Sequence, residues 1–149
     1  MMGTEETGHA RLADQLCFSL YAASRAVMGA YREGLGQMGL TYPQYVTMLA
    51  IWEQEGRSVR ELGEDLQLDS GTLSPMLRRL EQDGLIRKVR GGEDERTVRI
   101  YSTEAGWALE SQVGQVRCQV EEATGFSQEE MIELRETLTQ LRARIQASD

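Results

Sequence analysis

The chain has 149 residues, of which 40% are hydrophobic and 27% charged, enough apolar material for one domain with a buried core. One histidine, His9 in a polar leader, leaves no basis for a Ser-His-Asp triad or a multi-histidine zinc site. A net charge of −8 argues at first against a nucleic-acid partner.

No stretch approaches the ~18–20 apolar residues of a membrane span. The acidic start Met1–Glu6 lacks the basic-then-apolar pattern of a signal peptide. With only two cysteines, Cys17 and Cys118, the expectation is a cytoplasmic chain with reduced thiols and no membrane contact. GxxxxGKS is absent, so no nucleotide cradle, cofactor or metal is expected and the chain does not read as an enzyme.

Leu12, Leu16, Leu20, Ala23, Val27 and Tyr31 recur at spacings of four and three, predicting one helix that the Gly34, Gly36 and Gly39 cluster ends. Thr41 and Gln44 form a capping box that opens a second helix carrying Tyr45, Met48, Leu49 and Trp52. Ser58 and Glu61 form another, ahead of a short helix with Leu62 and Leu66 inward. The next helix carries Leu73, Met76, Leu77 and Leu80, with Gly84 at its C-terminal end. Its start is ambiguous. Pro75 fits best at a first helical position after Ser74, whereas a start near Asp69 puts the proline inside the helix.

Leu85–Val89 and Thr97–Tyr101 predict a β-hairpin around the Gly91-Gly92 turn. Thr103 caps a long helix through about Thr124, and Ser127 with Glu130 opens the last one. That helix bears Met131, Leu134, Leu138, Leu141 and Ile145, a narrow seam suited to a helix-packing or dimer surface. Two helices joined by a tight turn and followed by a ribbon describe a mainly α winged helix-turn-helix, whose second helix can enter a major groove.

Charge distribution supports that use. From Arg57 to Ile100 there are nine basic and nine acidic residues, so the remainder carries the whole net charge. From Arg78 to Arg99 seven basic residues face five acidic ones. Double-stranded DNA could therefore be received only here. Ser70, Thr72, Ser74, Arg78 and Arg79 fall on the outer side of the helix that follows Asp69, and Arg96 falls at the hairpin tip. Any single arginine among them could equally be a solvated surface charge. Cys17, among Leu16, Phe18 and Leu20, admits two readings: a buried structural thiol, or a redox-active one near a helix start.

The stretch from Val59 to Gly106 resembles the MarR family of bacterial transcriptional regulators. Asp94 and Arg96 match its D-x-R wing motif, and Thr103 and Gly106 its T-x-x-G helix start. LCFSLYAASR (residues 16–25), LTYPQYVTMLAIWE (residues 40–53) and DSGTLSPMLRRLEQ resemble the organic hydroperoxide regulator (OhrR) branch. The resemblance covers nearly the whole chain beyond the first ten or so residues. It implies one domain, 1–149, with dimerisation helices at about 11–33 and 104–147 and a winged helix-turn-helix at about 42–101. It also implies a recognition helix beginning near Asp69 with Pro75 inside, and DNA contact by Asp69, Ser70, Thr72, Ser74, Pro75, Arg78, Arg79, Asp94 and Arg96.

The implied function is that of a homodimeric repressor that releases operator DNA when an organic hydroperoxide oxidises Cys17. Tyr31 and Tyr42 of the other subunit would hydrogen-bond the sulfur. Cys118 would resolve the sulfenic acid or stand by while a small thiol does so. Two other functions fit less of the chain: a regulator sensing a small aromatic ligand, and a thiol peroxidase.

Overall fold

The computed structural model describes residues 10–92 and 94–148, so the reading of His9 lies outside it. Six helices and one two-stranded antiparallel hairpin make a winged helix-turn-helix with long flanking helices. They are α1 (Leu16–Gly36), α2 (Tyr42–Glu53), α3 (Val59–Leu66), α4 (Ser70–Gln82), β1 (Ile86–Arg90), β2 (Val98–Ser102), α5 (Glu104–Thr124) and α6 (Gln128–Ala147). No described helix is long and apolar enough to cross a membrane.

The local caps form as the sequence predicts. Thr41, Ser58 and Ser127 each accept from the backbone N–H three residues on, and Gln44, Glu61 and Glu130 return the bond. Such reciprocal pairs satisfy two otherwise orphaned donors per helix. Asp69 accepts from Thr72 N at 2.8 Å, which starts α4 at Ser70 and leaves Pro75 in its interior. The ambiguity at Ser74 is thereby resolved in favour of the earlier start. Gly84 takes φ +77° and lets Leu85 N reach Leu80 O at 3.0 Å, ending α4 as expected.

Three sequence expectations are corrected. Leu12 is not in the first helix: Leu12–Asp14 is a short 3-10 turn, and α1 starts after an extended Gln15. The glycine cluster does end α1, with Gly36 its last residue and the turn out at Gly39 (φ +74°), but Gly34 lies inside the helix. At Gly34 the absent side chain makes room for Val116 of α5, so packing outweighs the low helix propensity of glycine. The strands also sit one residue later than expected, pairing Ile86 with Ser102 and Arg90 with Val98. Leu85 lies just before β1, and its carbonyl accepts from Thr103 N at 3.1 Å in continuation of the same register.

The core lies where α1, α2, α3, α4, α5 and the hairpin converge: Leu35, Met48, Ile51, Leu62, Leu73, Leu77, Leu80, Ile100 and Val113 are fully or nearly fully buried. Gly106 belongs to this junction by necessity. A side chain there would collide with the Leu85 carbonyl and the Ser102 hydroxyl. Buried Arg57 clamps the module, donating to Asp65, to Ala50 O and, at 3.2 Å, to Gln54 O. By contrast α6 buries none of its residues, and Leu134, Leu138 and Ile145 are exposed.

Candidate nucleic-acid interface and thiol site

The interface is built on α4. Its inner stripe, Leu73, Leu77 and Leu80, is buried, which turns the opposite side outward. Ser70, Thr72, Pro75, Arg78 and Arg79 are exposed and Ser74 is half-buried. Asp69 is spent on the cap, so its part in this surface is to fix where the helix begins.

Between α4, the start of α3 and the hairpin lies an open groove of about 880 Å³. Arg60, Arg78, Lys88, Arg90, Arg96 and Arg99 line it, against the carboxylates of Glu61 and Asp94. The chain is acidic as a whole, yet this groove concentrates positive charge, the electrostatic footprint a phosphate backbone requires. Among the described residues Arg78, Arg90 and Arg96 have no carboxylate within 4.0 Å, whereas Lys88 pairs with Glu81 (3.5 Å) and Arg60 with Glu64 (3.4 Å). Arg79 lies outside the groove and pairs with Asp83 at 3.3 Å. Arg60, Lys88, Arg90 and Arg99 were absent from the sequence-based site. The alternation of Lys88 with Arg90 along β1 was the available signal, but only the packing of the hairpin beside α3 and α4 brings them to one groove with Arg60 and Arg99.

Asp94 acts within the hairpin. Its carboxylate accepts from Arg96 N at 2.9 Å and its carbonyl from Thr97 N at 3.0 Å, while Gly91 N reaches Thr97 O at 3.1 Å. These bonds close the turn that presents Arg96. Arg99 ties the base of the hairpin to the rest of the module by donating to Gly56 O at 2.9 Å.

The thiols lie elsewhere. Cys17 is the second residue of α1 and is exposed, which sets aside the buried-thiol reading for the single chain. Cys118 on α5 is also exposed. Tyr31 is buried near the other end of α1, and its ring packs on Tyr42 (5.3 Å between centroids) and Tyr45 (5.2 Å, stacked). Tyr45 was read from the sequence only as a core residue; it completes the phenol cluster. Burial first, then Tyr45, Tyr42 and the Glu121 carboxylate, push the Tyr31 phenol well above its ordinary value of 10.0. Burial and Tyr45 likewise raise Tyr42. Both hydroxyls therefore stay protonated at neutral pH and can donate to an anion.

Within one chain these groups do not meet. Fourteen helical residues separate Cys17 from Tyr31, a rise of about 21 Å. Cys118 lies two residues beyond Val116, which packs on Gly34 and so is level with the far end of α1. The separation from Cys17 greatly exceeds the ~7 Å between Cα atoms that a disulfide tolerates.

Comparison with known proteins gives a consistent picture. Residues 30–112 match the family described as transcriptional regulator SarA/Rot. The organic hydroperoxide resistance transcriptional regulator of Bacillus subtilis is 52% identical over 101 residues, covering 68% of this chain and 69% of the relative. The structure of reduced AbfR bound to DNA, a protein of Staphylococcus epidermidis, superposes with a TM-score of 0.77 at 34% identity, covering 92% of this chain and 94% of that one. The structure of disulfide-formed AbfR superposes at 0.66 and 33% identity, covering 92% and 91%.

Proposed function

This chain belongs to the MarR family of transcriptional regulators, in its organic hydroperoxide branch, and from that premise we propose that it binds operator DNA as a homodimer and releases it when Cys17 is oxidised. The observation that carries the reading is the basic groove between α4 and the hairpin in an otherwise acidic chain. α4 enters the major groove, and the hairpin brings Arg96 and Arg90 to the adjacent minor groove. Asp69, Ser70, Thr72, Ser74, Pro75, Arg78, Arg79 and Asp94 complete the contact set or position it.

Dimerisation is supported by the apolar side chains that one chain leaves uncovered. Leu12, Leu16 and Val27 at one end, and Leu134, Leu138 and Ile145 on α6, expose 39–62% of their surface. A second copy would bury them. It would also bring Cys17 of one subunit toward the Tyr31–Tyr42 cluster of the other, a juxtaposition the 21 Å rise along α1 denies within a chain.

The sensing step is then ordinary thiolate chemistry. The Cys17 thiolate attacks one peroxide oxygen and the O–O bond breaks. The alkoxide leaves and takes a proton from solvent, and sulfur is left as a sulfenic acid. Phenol O–H donors facing the sulfur stabilise the anion before attack. Condensation of the sulfenic acid with Cys118 of the other subunit, or with a small thiol, would shift the helices that set the spacing of the two copies of α4.

DNA released from a repressor would switch its genes on. A gel shift with the protein's own upstream DNA tests the whole reading. Binding that an organic hydroperoxide abolishes stoichiometrically, and that a reductant restores, is the expected result. Catalytic peroxide turnover with no DNA binding would overturn it.

A further inference from the structure

Pro75 is the sixth residue of α4, well inside the helix. It has no N–H, so the bond that would run from residue 75 to the Gly71 carbonyl is missing, and its ring presses on the preceding turn. Both effects weaken a helix. Packing gives no compensation, because Pro75 is exposed while Leu73, Leu77 and Leu80 are buried.

At 3.6 residues per turn Pro75 projects roughly opposite the buried stripe. It stands on the outermost ridge of α4, with Gly71 one turn before it and Arg78 after it. Gly71 has no side chain, and Ser70, Thr72 and Ser74 are short. Among the exposed residues on the leading half of the helix, the pyrrolidine ring is therefore the one wholly apolar side chain. It offers neither donor nor acceptor, so a base edge that it meets is recognised only by shape and apolar contact. In the major groove the apolar group on a base edge is the 5-methyl of thymine.

We infer that the Pro75 ring packs against the 5-methyl group of one thymine in each half-site and makes that base pair a determinant of sequence specificity. The inference rests on the DNA-binding reading above and deepens it.

The test uses a duplex that the parent protein selects from a random-sequence pool, together with copies in which single thymines are replaced by uracil, which deletes only the methyl group. One thymine per half-site should matter. Its replacement should weaken the parent protein about fourfold, the worth of one buried methyl-sized group. Pro75→Ala lacks the outer ring methylenes and should bind the thymine and uracil duplexes equally. It should also melt at a higher temperature, because the helix regains its missing bond. Equal uracil penalties in both proteins, or none in the parent, would overturn the inference. So would a lower melting temperature for Pro75→Ala, which would make the proline a structural residue. Failure of the parent to bind any duplex at low salt would instead remove the DNA-binding reading, and this inference with it.

Discussion

Gly34 of α1 faces Val116 of α5 so closely that a methyl group at residue 34 would sit 2.8 Å from Val116 Cγ2. Valine is β-branched and stiff at χ1, so it cannot swing clear. Gly34→Ala should therefore destabilise the fold by roughly 1–3 kcal/mol through overpacking, although alanine alone favours a helix by about 1 kcal/mol. Adding Val116→Ala should recover most of the loss. Urea unfolding of the two single variants and the double variant checks this. Additive effects would mean that the helices do not meet at these residues.

The phenol cluster makes stability depend on alkaline pH. Well below pH 10 the Tyr31 phenol is neutral in both the folded and the unfolded chain, so it contributes no pH dependence there. Above that value the unfolded chain loses the proton while the folded chain holds it, because the folded pKa is raised. Stability should therefore fall as pH rises, by at most about 1.4 kcal/mol per pH unit from this group. Tyr31→Phe should show a shallower fall. Parallel slopes for parent and variant, from urea midpoints between pH 8 and 11, would refute the assignment.

Asp94 and Arg96 separate two explanations of the hairpin. Arg96→Ala should weaken DNA binding by roughly 1–3 kcal/mol. Asp94→Ala removes a negative charge from the groove, so simple electrostatics would strengthen binding. The turn bond from Arg96 N to the Asp94 carboxylate leads to the opposite expectation, a loss of about 1 kcal/mol. The sign of the change at fixed salt decides between them.

Cys17→Ser should fold and bind DNA as the parent does, but should not release it with organic hydroperoxide, because serine forms no sulfenic acid. Tyr42→Phe should still bind DNA and should react more slowly, since one donor to the thiolate is gone. Release of DNA by peroxide-treated Cys17→Ser would take Cys17 out of the mechanism. Non-reducing electrophoresis of the parent and of Cys118→Ser then separates resolution by Cys118 from resolution by a small thiol.

Much of this was legible in the residues. Thr41 with Gln44, Ser58 with Glu61, Ser127 with Glu130, and the Thr103 cap all form as read, because each involves groups three residues apart and needs no distant partner. The order of helices and hairpin followed from those caps and from the spacing of leucines. Other features depend on what arrives from elsewhere in the chain. Gly34 was read as part of a helix terminator and is a packing site, since its partner Val116 lies 82 residues away in sequence. Arg57 carried no local signal, yet it clamps the end of α2 to Asp65. The groove joins Arg60, Arg78, Arg90, Arg96 and Arg99 only after α3, α4 and the hairpin have packed. Local hydrogen bonds are specified by neighbouring residues. Close approach between helices, and the pooling of like charges on one surface, are specified by the fold that brings distant residues together.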